Sequence, residues 1–241
     1  MNQYTRLIPV VIMTLVSLLQ MTAQDGVEKV RNVGQFTTLL VQDSVNVVYR
    51  NDPQLNGTVR WVSGDNEVDA PLIINNNNGT LKIQVSTDDF DDSDTALYPD
   101  CPTLYVYSDF LNKILNYSDA RIIVESPAKC PKIEISLIGN GIINVSGIDA
   151  TEVYSKITAG MGTVTLSGHC DKATFRMTGT GTIQADELKA QSISCKIFGG
   201  GTIGCSPSEE LYVKGIGSTK IYYSGNPKIS HKGGGKLIPL P

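Results

Sequence analysis

Histidine and tryptophan are almost missing from this chain: two His and one Trp in 241 residues. So little imidazole leaves scant material for a His-ligated metal site or a His general base. Charge is sparse as well. Only 18% of residues are Asp, Glu, Lys or Arg, with 20 basic against 24 acidic side chains and a formal net charge of −4. No run of Lys or Arg occurs, so nucleic acid is not an expected partner. There is no Cys-x-x-Cys and no Cys/His ligand spacing, so neither a metal nor a cofactor is expected. Beyond the first 23 residues no stretch of 18 apolar residues appears, so no membrane span is expected in the mature chain. Hydrophobic residues nevertheless make up 41%, too many for a disordered chain and enough to build a core.

Residues 1–23 read as an export signal. Arg6 gives the basic start, and Leu7 to Leu19 form an apolar stretch of 13, the length of a signal's hydrophobic region rather than of a bilayer span. Cleavage after Ala23 would remove Arg6 and move the formal charge from −4 to −5. Export permits disulfides. The five cysteines are Cys101, Cys130, Cys170, Cys195 and Cys205, and their odd count leaves at least one thiol free. Cys101 and Cys130, each followed by a proline at a predicted strand start, are the candidate disulfide pair.

Strand patterns dominate. Over 24–110 they predict an irregular β region in which Phe36, Leu39, Val41, Val45, Val47 and Tyr49 form two apolar runs broken at Asp43-Ser44. Leu72–Ile74 and Leu81–Val85 flank Asn78-Gly79, a dipeptide suited to the tight turn of a hairpin because both turn positions need φ > 0. Only Asp186–Gln191 and Ser206–Glu210 are predicted as short helical turns. From 111 to 241 the chain repeats. Gly-x-Gly followed by alternating apolar residues starts at Gly139, Gly160, Gly179 and Gly199, with a weaker copy at Gly215 and a degenerate one at Gly233. Ser118-Asp119-Ala120 holds the same register one repeat earlier, and the spacings are 21, 21, 19, 20, 16 and 18 residues. A period near 20 with about two short strands per repeat predicts an all-β fold, a right-handed parallel β-helix with glycine at one corner and continuous with the first half. Stacked antiparallel hairpins with Gly-x-Gly at each turn are the alternative. Within the repeats Ile143/Val145, Val164/Leu166, Ile183/Ala185 and Ile203/Cys205 are predicted to point inward.

Phe36-x-x-Leu39-x-Val41, then Val45-x-Val47, then the Gly-x-Gly-x-Ile repeats resemble the putative auto-transporter adhesin, head GIN domain family, over about residues 33 to 220. The resemblance implies a β-rich fold and a location in or on the cell envelope. It implies no catalytic residue and no ligand.

The remaining constellations have plain readings. Asp88, Asp89, Asp91, Asp92 and Asp94 crowd one loop, but lack the Gly hinge and terminal Glu of an EF-hand loop, so a solvated acidic loop is expected, with calcium binding as the alternative. Thr95, in Asp94-Thr95-Ala96, is a candidate O-glycosylation acceptor. His169-Cys170-Asp171 cannot act as a catalytic trio, because adjacent residues do not reach one another as nucleophile, base and orienter. Trp61, Tyr98, Tyr105, Tyr107, Tyr117, Tyr212, Tyr222 and Tyr223 either pack the core or stand outward as stacking platforms. The expectation is an exported envelope or surface protein with an adhesive or structural role, no catalysis, and a surface polysaccharide or protein as partner. Alternatives are a module for a small apolar or lipid-like ligand and a polysaccharide-cleaving enzyme. The second is disfavoured because Glu134, Glu152, Asp171 and Asp186 do not recur in register.

Overall fold

The computed structural model describes residues 26–64, 72–85 and 101–240. Every regular element among them is a strand. The first half gives β1 (Gly26–Asn32), β2 (Thr38–Val41), β3 (Val47–Arg50), β4 (Thr58–Gly64), β5 (Leu72–Asn77), β6 (Thr80–Val85), β7 (Leu104–Tyr107), β8 (Lys113–Asn116) and β9 (Arg121–Glu125). The second half gives β10 (Cys130–Ile138), β11 (Ile142–Thr158), β12 (Thr163–Gly179), β13 (Thr182–Gly199), β14 (Thr202–Gly217), β15 (Lys220–Tyr223), β16 (Lys228–Gly233) and β17 (Lys236–Pro239).

From β8 onward every pairing is parallel, and each strand pairs with the strand one coil away. The fold is therefore a parallel β-solenoid, and the hairpin stack is not adopted. Antiparallel pairs are confined to β1–β4, β4–β7 and β5–β6. The β5–β6 hairpin turns at Asn78 and Gly79, with φ of 49° and 76°, as the dipeptide demands.

Each coil has three sides rather than two. In β11 the inward residues are Ile143 and Val145, then Ile148 and Ala150, then Val153, Ser155 and Ile157. Alternation slips at Ser146-Gly147 and again at Thr151-Glu152, where two successive residues face out. Two adjacent outward residues turn the chain there, the ladder to the next coil lapsing at the corner and resuming at Ile148 and again at Glu152. The third corner is the Gly-x-Gly segment. There Gly160 has φ +84°, and a Cβ on it would lie 2.2 Å from the Gly139 oxygen of the preceding coil, so neither the backbone nor the space admits another residue. The coil carrying Ser118-Asp119-Ala120 has no glycine at this corner. Its turn is held by buried Asn116, whose Nδ2 donates to the Ala120 oxygen (2.8 Å) while its Oδ1 accepts from the Ser118 hydroxyl (2.8 Å).

The core is a set of columns. Ile143, Val164, Ile183, Ile203 and Ile221 stack in register along one side, all fully buried. Each such side chain contributes on the order of 1.5–3 kcal/mol on burial, and none could be buried by its own coil alone. Val145, Leu166, Ala185 and Cys205 form the neighbouring column, so the predicted inward set is inward throughout. In the first half Phe36, Leu39, Val41, Val45, Val47 and Tyr49 fill the same interior. Tyr49 donates its phenolic proton to the Ser108 oxygen at 2.7 Å, which lets a hydroxyl sit in an apolar core.

Two expectations change. Asp186–Gln191 and Ser206–Glu210 are strand, not helical turns, because both lie against a neighbouring coil (His169 on Lys189, Lys189 on Ser206) and ladder bonds claim their backbone. The fifth repeat is also offset by two residues. Gly217, not Gly215, lies over Gly199, which makes that coil 18 residues long and sets Ile221 on Ile203.

The coil order is not the chain order. β2 lies between β6 and β8, and β3 between β7 and β9. The first coil written in the sequence is therefore the second in the stack, behind the coil built from β6 and β7.

Candidate binding face

The longest flat surface is the side formed by β10, the C-terminal halves of β11–β14, and β16. Residues two apart on a strand share a face, so its outward positions form columns running along the stack. The first column reads Lys132, Glu152, Lys172, Ser192, Glu210, Lys228. Its charges alternate in sign, three cations against two anions. The next reads Glu134, Tyr154, Thr174, Ser194, Tyr212, Ser230. Glu134 closes its end, pairing with Lys132 at 2.5 Å and Lys113 at 3.9 Å, and the Lys132 hydrogen bond holds its carboxyl below the usual range.

The third column is different. Ser136 begins it, and Lys156, Arg176, Lys196, Lys214 and Lys232 follow, one per coil in register. Arg176, Lys196, Lys214 and Lys232 are exposed and Lys156 half-buried. Among the described residues none of the five makes an ion pair, whereas Arg50, Arg60, Lys113, Lys129 and Lys132 all do. Along these five coils neither flanking column contains a carboxylate. The far edge of the face is the column Ile138, Thr158, Thr178, Phe198, Ile216. There Phe198 is 66% and Ile216 69% exposed, and Met161 on the adjoining corner is 72% exposed.

The sequence shows no basic run because these cations are 20, 20, 18 and 18 residues apart. Only reading the charges at the repeat period would have found them. A chain without a linear run of Lys or Arg thus still carries a file of cations once its coils stack.

The short side of the coils carries a second feature, an open groove of about 520 Å³ floored by Ala150, Cys170, Ala190 and Pro207 and walled by Asp149, His169, Asp171 and Lys189. The sequence trio falls here. His169 points outward between Asp149 and Lys189, while Cys170 is buried and its thiol is pushed up to about 12 by burial and then by Asp171. A thiol held neutral in this way is not a nucleophile near pH 7.

All five cysteines are free thiols, so Cys101 and Cys130 do not form the expected disulfide. Cys130 stacks on Ala150 at the start of β10, whereas Cys101 leads into β7, whose neighbours are β3 and β4. The two stretches have no strand pairing in common. Of the aromatic candidates, Tyr212 stands outward on the binding face, Tyr105 lies under the Arg50 guanidinium (5.4 Å), and Tyr107 is buried. Thr95, Tyr98, the Asp88–Asp94 loop and the proposed signal segment lie outside the described residues.

A parallel β-solenoid with broad outer faces and one corner of stacked glycines defines a class of repetitive scaffold proteins. Within it, the model of the putative auto-transporter adhesin, head GIN domain family matches residues 35–227, and the chain belongs to that family. Among solved structures, a putative adhesin of Bacteroides fragilis aligns with a TM-score of 0.74 at 19% identity, covering 90% of this chain and 96% of that one. A putative lipid binding protein of Parabacteroides distasonis aligns at 0.67 and 21% identity over 90% and 98%. A putative adhesin of Parabacteroides merdae aligns at 0.62 and 18% identity over 88% and 94%. At these identities the likeness carries the fold. No curated protein matches the chain.

Proposed function

We propose that the protein is an exported, non-catalytic adhesin of the cell envelope that holds a macromolecular partner against the face formed by β10, the C-terminal halves of β11–β14, and β16. The observation that carries this reading is the pair Phe198 and Ile216, stacked in register on adjacent coils and both about two-thirds exposed. Large apolar side chains grouped at the rim of a flat polar sheet are a common mark of an interaction surface. Family membership and the fold of the neighbouring structures support an adhesive role. The high pKa of Cys170 supports the absence of thiol catalysis.

The test is binding of the purified protein to immobilised envelope polysaccharides and proteins. Retention is expected, and Phe198→Asp with Ile216→Asp should reduce it at least several-fold while leaving the melting temperature near that of the parent. Failure of the parent protein to bind any of these materials would overturn the reading. A second reading, a lipid-like ligand in the groove over Cys170, draws on the name of the Parabacteroides distasonis neighbour. Saturable binding of a fatty acid that Ala190→Trp abolishes and Phe198→Asp/Ile216→Asp leaves intact would favour the second reading.

A further inference from the structure

The column Lys156, Arg176, Lys196, Lys214, Lys232 is a costly arrangement. Residues facing each other across adjacent strands lie about 5 Å apart, and like charges so placed repel. That separation is shorter than the screening length of about 8 Å at physiological ionic strength, so salt does not remove the repulsion. The protein has a way to avoid this. Two positions before Arg176 on the same strand is Thr174, and two before that is Lys172, whose column alternates Lys132, Glu152, Lys172, Ser192, Glu210, Lys228. One column mixes three cations with two anions and the other holds five cations and no anion, on the same strands, in a chain with a net charge of −4. The file of cations therefore presents a local positive potential that needs an external anion to relieve it.

We propose that this file binds a linear acidic polysaccharide laid parallel to the solenoid axis, with one anionic group per sugar residue against one cation per coil. The inference rests on the reading of this face as a binding surface and names its ligand class. Three observations select this ligand. The cations form a single straight file at the coil spacing of about 4.8 Å, so five of them span about 19 Å. A polymer of uronic acids carries one carboxylate per ring, and the axial interval between rings is comparable to that spacing. An anionic membrane presents charge in two dimensions and gains nothing from a file. Beside the cations runs the column Tyr154, Thr174, Ser194, Tyr212, Ser230, in which all five side chains carry a hydroxyl. Hydroxyls and tyrosine rings at sugar height suit a ligand that is itself covered in hydroxyls. Single-stranded nucleic acid would want a succession of open aromatic platforms, and the two tyrosines here are half-buried. The opposite side of the coils makes a useful contrast. Its outward column Arg121, Ile142, Thr163, Thr182, Thr202, Lys220, Lys236 is neutral through its four middle coils and carries cations only toward its ends, and the column Asn144, Thr165, Gln184 beside it is neutral. Cation stacking over five coils is thus a property of one face, not of the repeat.

Polygalacturonate, with one carboxylate per residue, is the probe. Binding of the full protein is measured against dextran, an oligo-dT strand and vesicles of phosphatidylglycerol with phosphatidylcholine, at 20 and 200 mM salt. Polygalacturonate should bind, weaken steeply with salt, and exceed dextran by at least tenfold. The double variant Lys196→Gln/Lys214→Gln should lose at least tenfold in affinity and show a shallower salt dependence. Lys132→Gln/Lys172→Gln removes the same net charge from the alternating column and should lose less than twofold. Because the cationic file repels itself, Lys196→Gln/Lys214→Gln should melt no lower than the parent, so weak binding cannot be assigned to misfolding. Equal losses in the two double variants, no binding of polygalacturonate at 20 mM salt, or capture of vesicles or oligo-dT in preference to it would each overturn the proposal. Retention of another envelope material that depends on Phe198 and Ile216 but not on Lys196 and Lys214 would overturn it while leaving the adhesive reading in place.

Discussion

A Cβ on Gly181 would lie 2.6 Å from the carbonyl oxygen of Gly162 in the preceding coil and 3.0 Å from the Ile157 side chain. The obstacle is backbone, which cannot swing aside. Gly181→Val should therefore cost about 3 kcal/mol or more, at the upper end for overpacking. Its neighbour Thr182 faces outward on a strand and suits a β-branched residue. Thr182→Val should lie within about 0.5 kcal/mol of the parent. Denaturant unfolding of the two variants checks the difference, and equal midpoints would remove the glycine corner as a structural requirement.

Leu166 and Thr165 test the register of the core. Leu166 is fully buried between coils, and Thr165 points outward to bond the Gln184 side chain at 3.1 Å. Leu166→Ala should cost about 2–5 kcal/mol through lost burial and the cavity left behind. Thr165→Ala should cost less than about 1 kcal/mol.

Thiol labelling should follow burial. Cys101 is half-buried, whereas Cys130, Cys170, Cys195 and Cys205 are buried. In the last coils Cys195 is held neutral by its hydrogen bond to Cys205 and by burial, and the Cys205 thiol donates to the Tyr222 oxygen at 3.5 Å. With native protein at pH 8, Cys101 should react first and Cys195 and Cys205 only on unfolding. Mass spectrometry of the labelled protein reads the order. Early modification of Cys205 would count against the coil assignment.

Alkali should destabilise the fold between about pH 9 and 12. Burial, and after it Asp109, push Tyr49 up to about 12 from 10.0, and Cys170 rises to about 12 from 9.0. Both groups hold their protons more tightly when folded, so their contribution is complete below the unfolded values and is lost as pH climbs toward the folded ones. Tyr49→Phe should flatten the upper part of this decline while lowering stability near pH 7 by about 1 kcal/mol, the value of the lost bond to Ser108. A set of unfolding curves from pH 8 to 12 checks both.

What could be read from the sequence was what alternation and turn chemistry encode locally. Ile143/Val145 and its successors alternate with polar residues, and a wrong register would expose the whole set, so the pattern admits one solution. Asn78-Gly79 fixes its hairpin because few other pairs adopt those φ values. The short side escaped notice because its corners are made by two outward residues, Ser146-Gly147 and Thr151-Glu152, and not by a break in β propensity. The cation file escaped because Lys156 and Arg176 meet only after the coil between them has closed. The lack of a Cys101–Cys130 bond has the same origin: nothing near either residue states which coil its strand will join. The proposed ligand stands on side chains whose sequence neighbours say nothing about one another.

The placement of β2 and β3 between coils drawn from later in the chain bears on how the molecule is made. A polypeptide that appears N-terminus first delivers residues 38–50 with both hydrogen-bonding edges vacant. One edge waits for β6 and β7 and the other for β8 and β9. Growth cannot proceed by simple winding from the first coil, and closing two loops of such length slows the initial assembly. Once these three coils are joined, each later coil adds to a finished edge with a separation of about one repeat. Assembly of this solenoid thus has a slow, non-local start and a fast, zipper-like continuation, with the rate of the whole set by its first 125 residues.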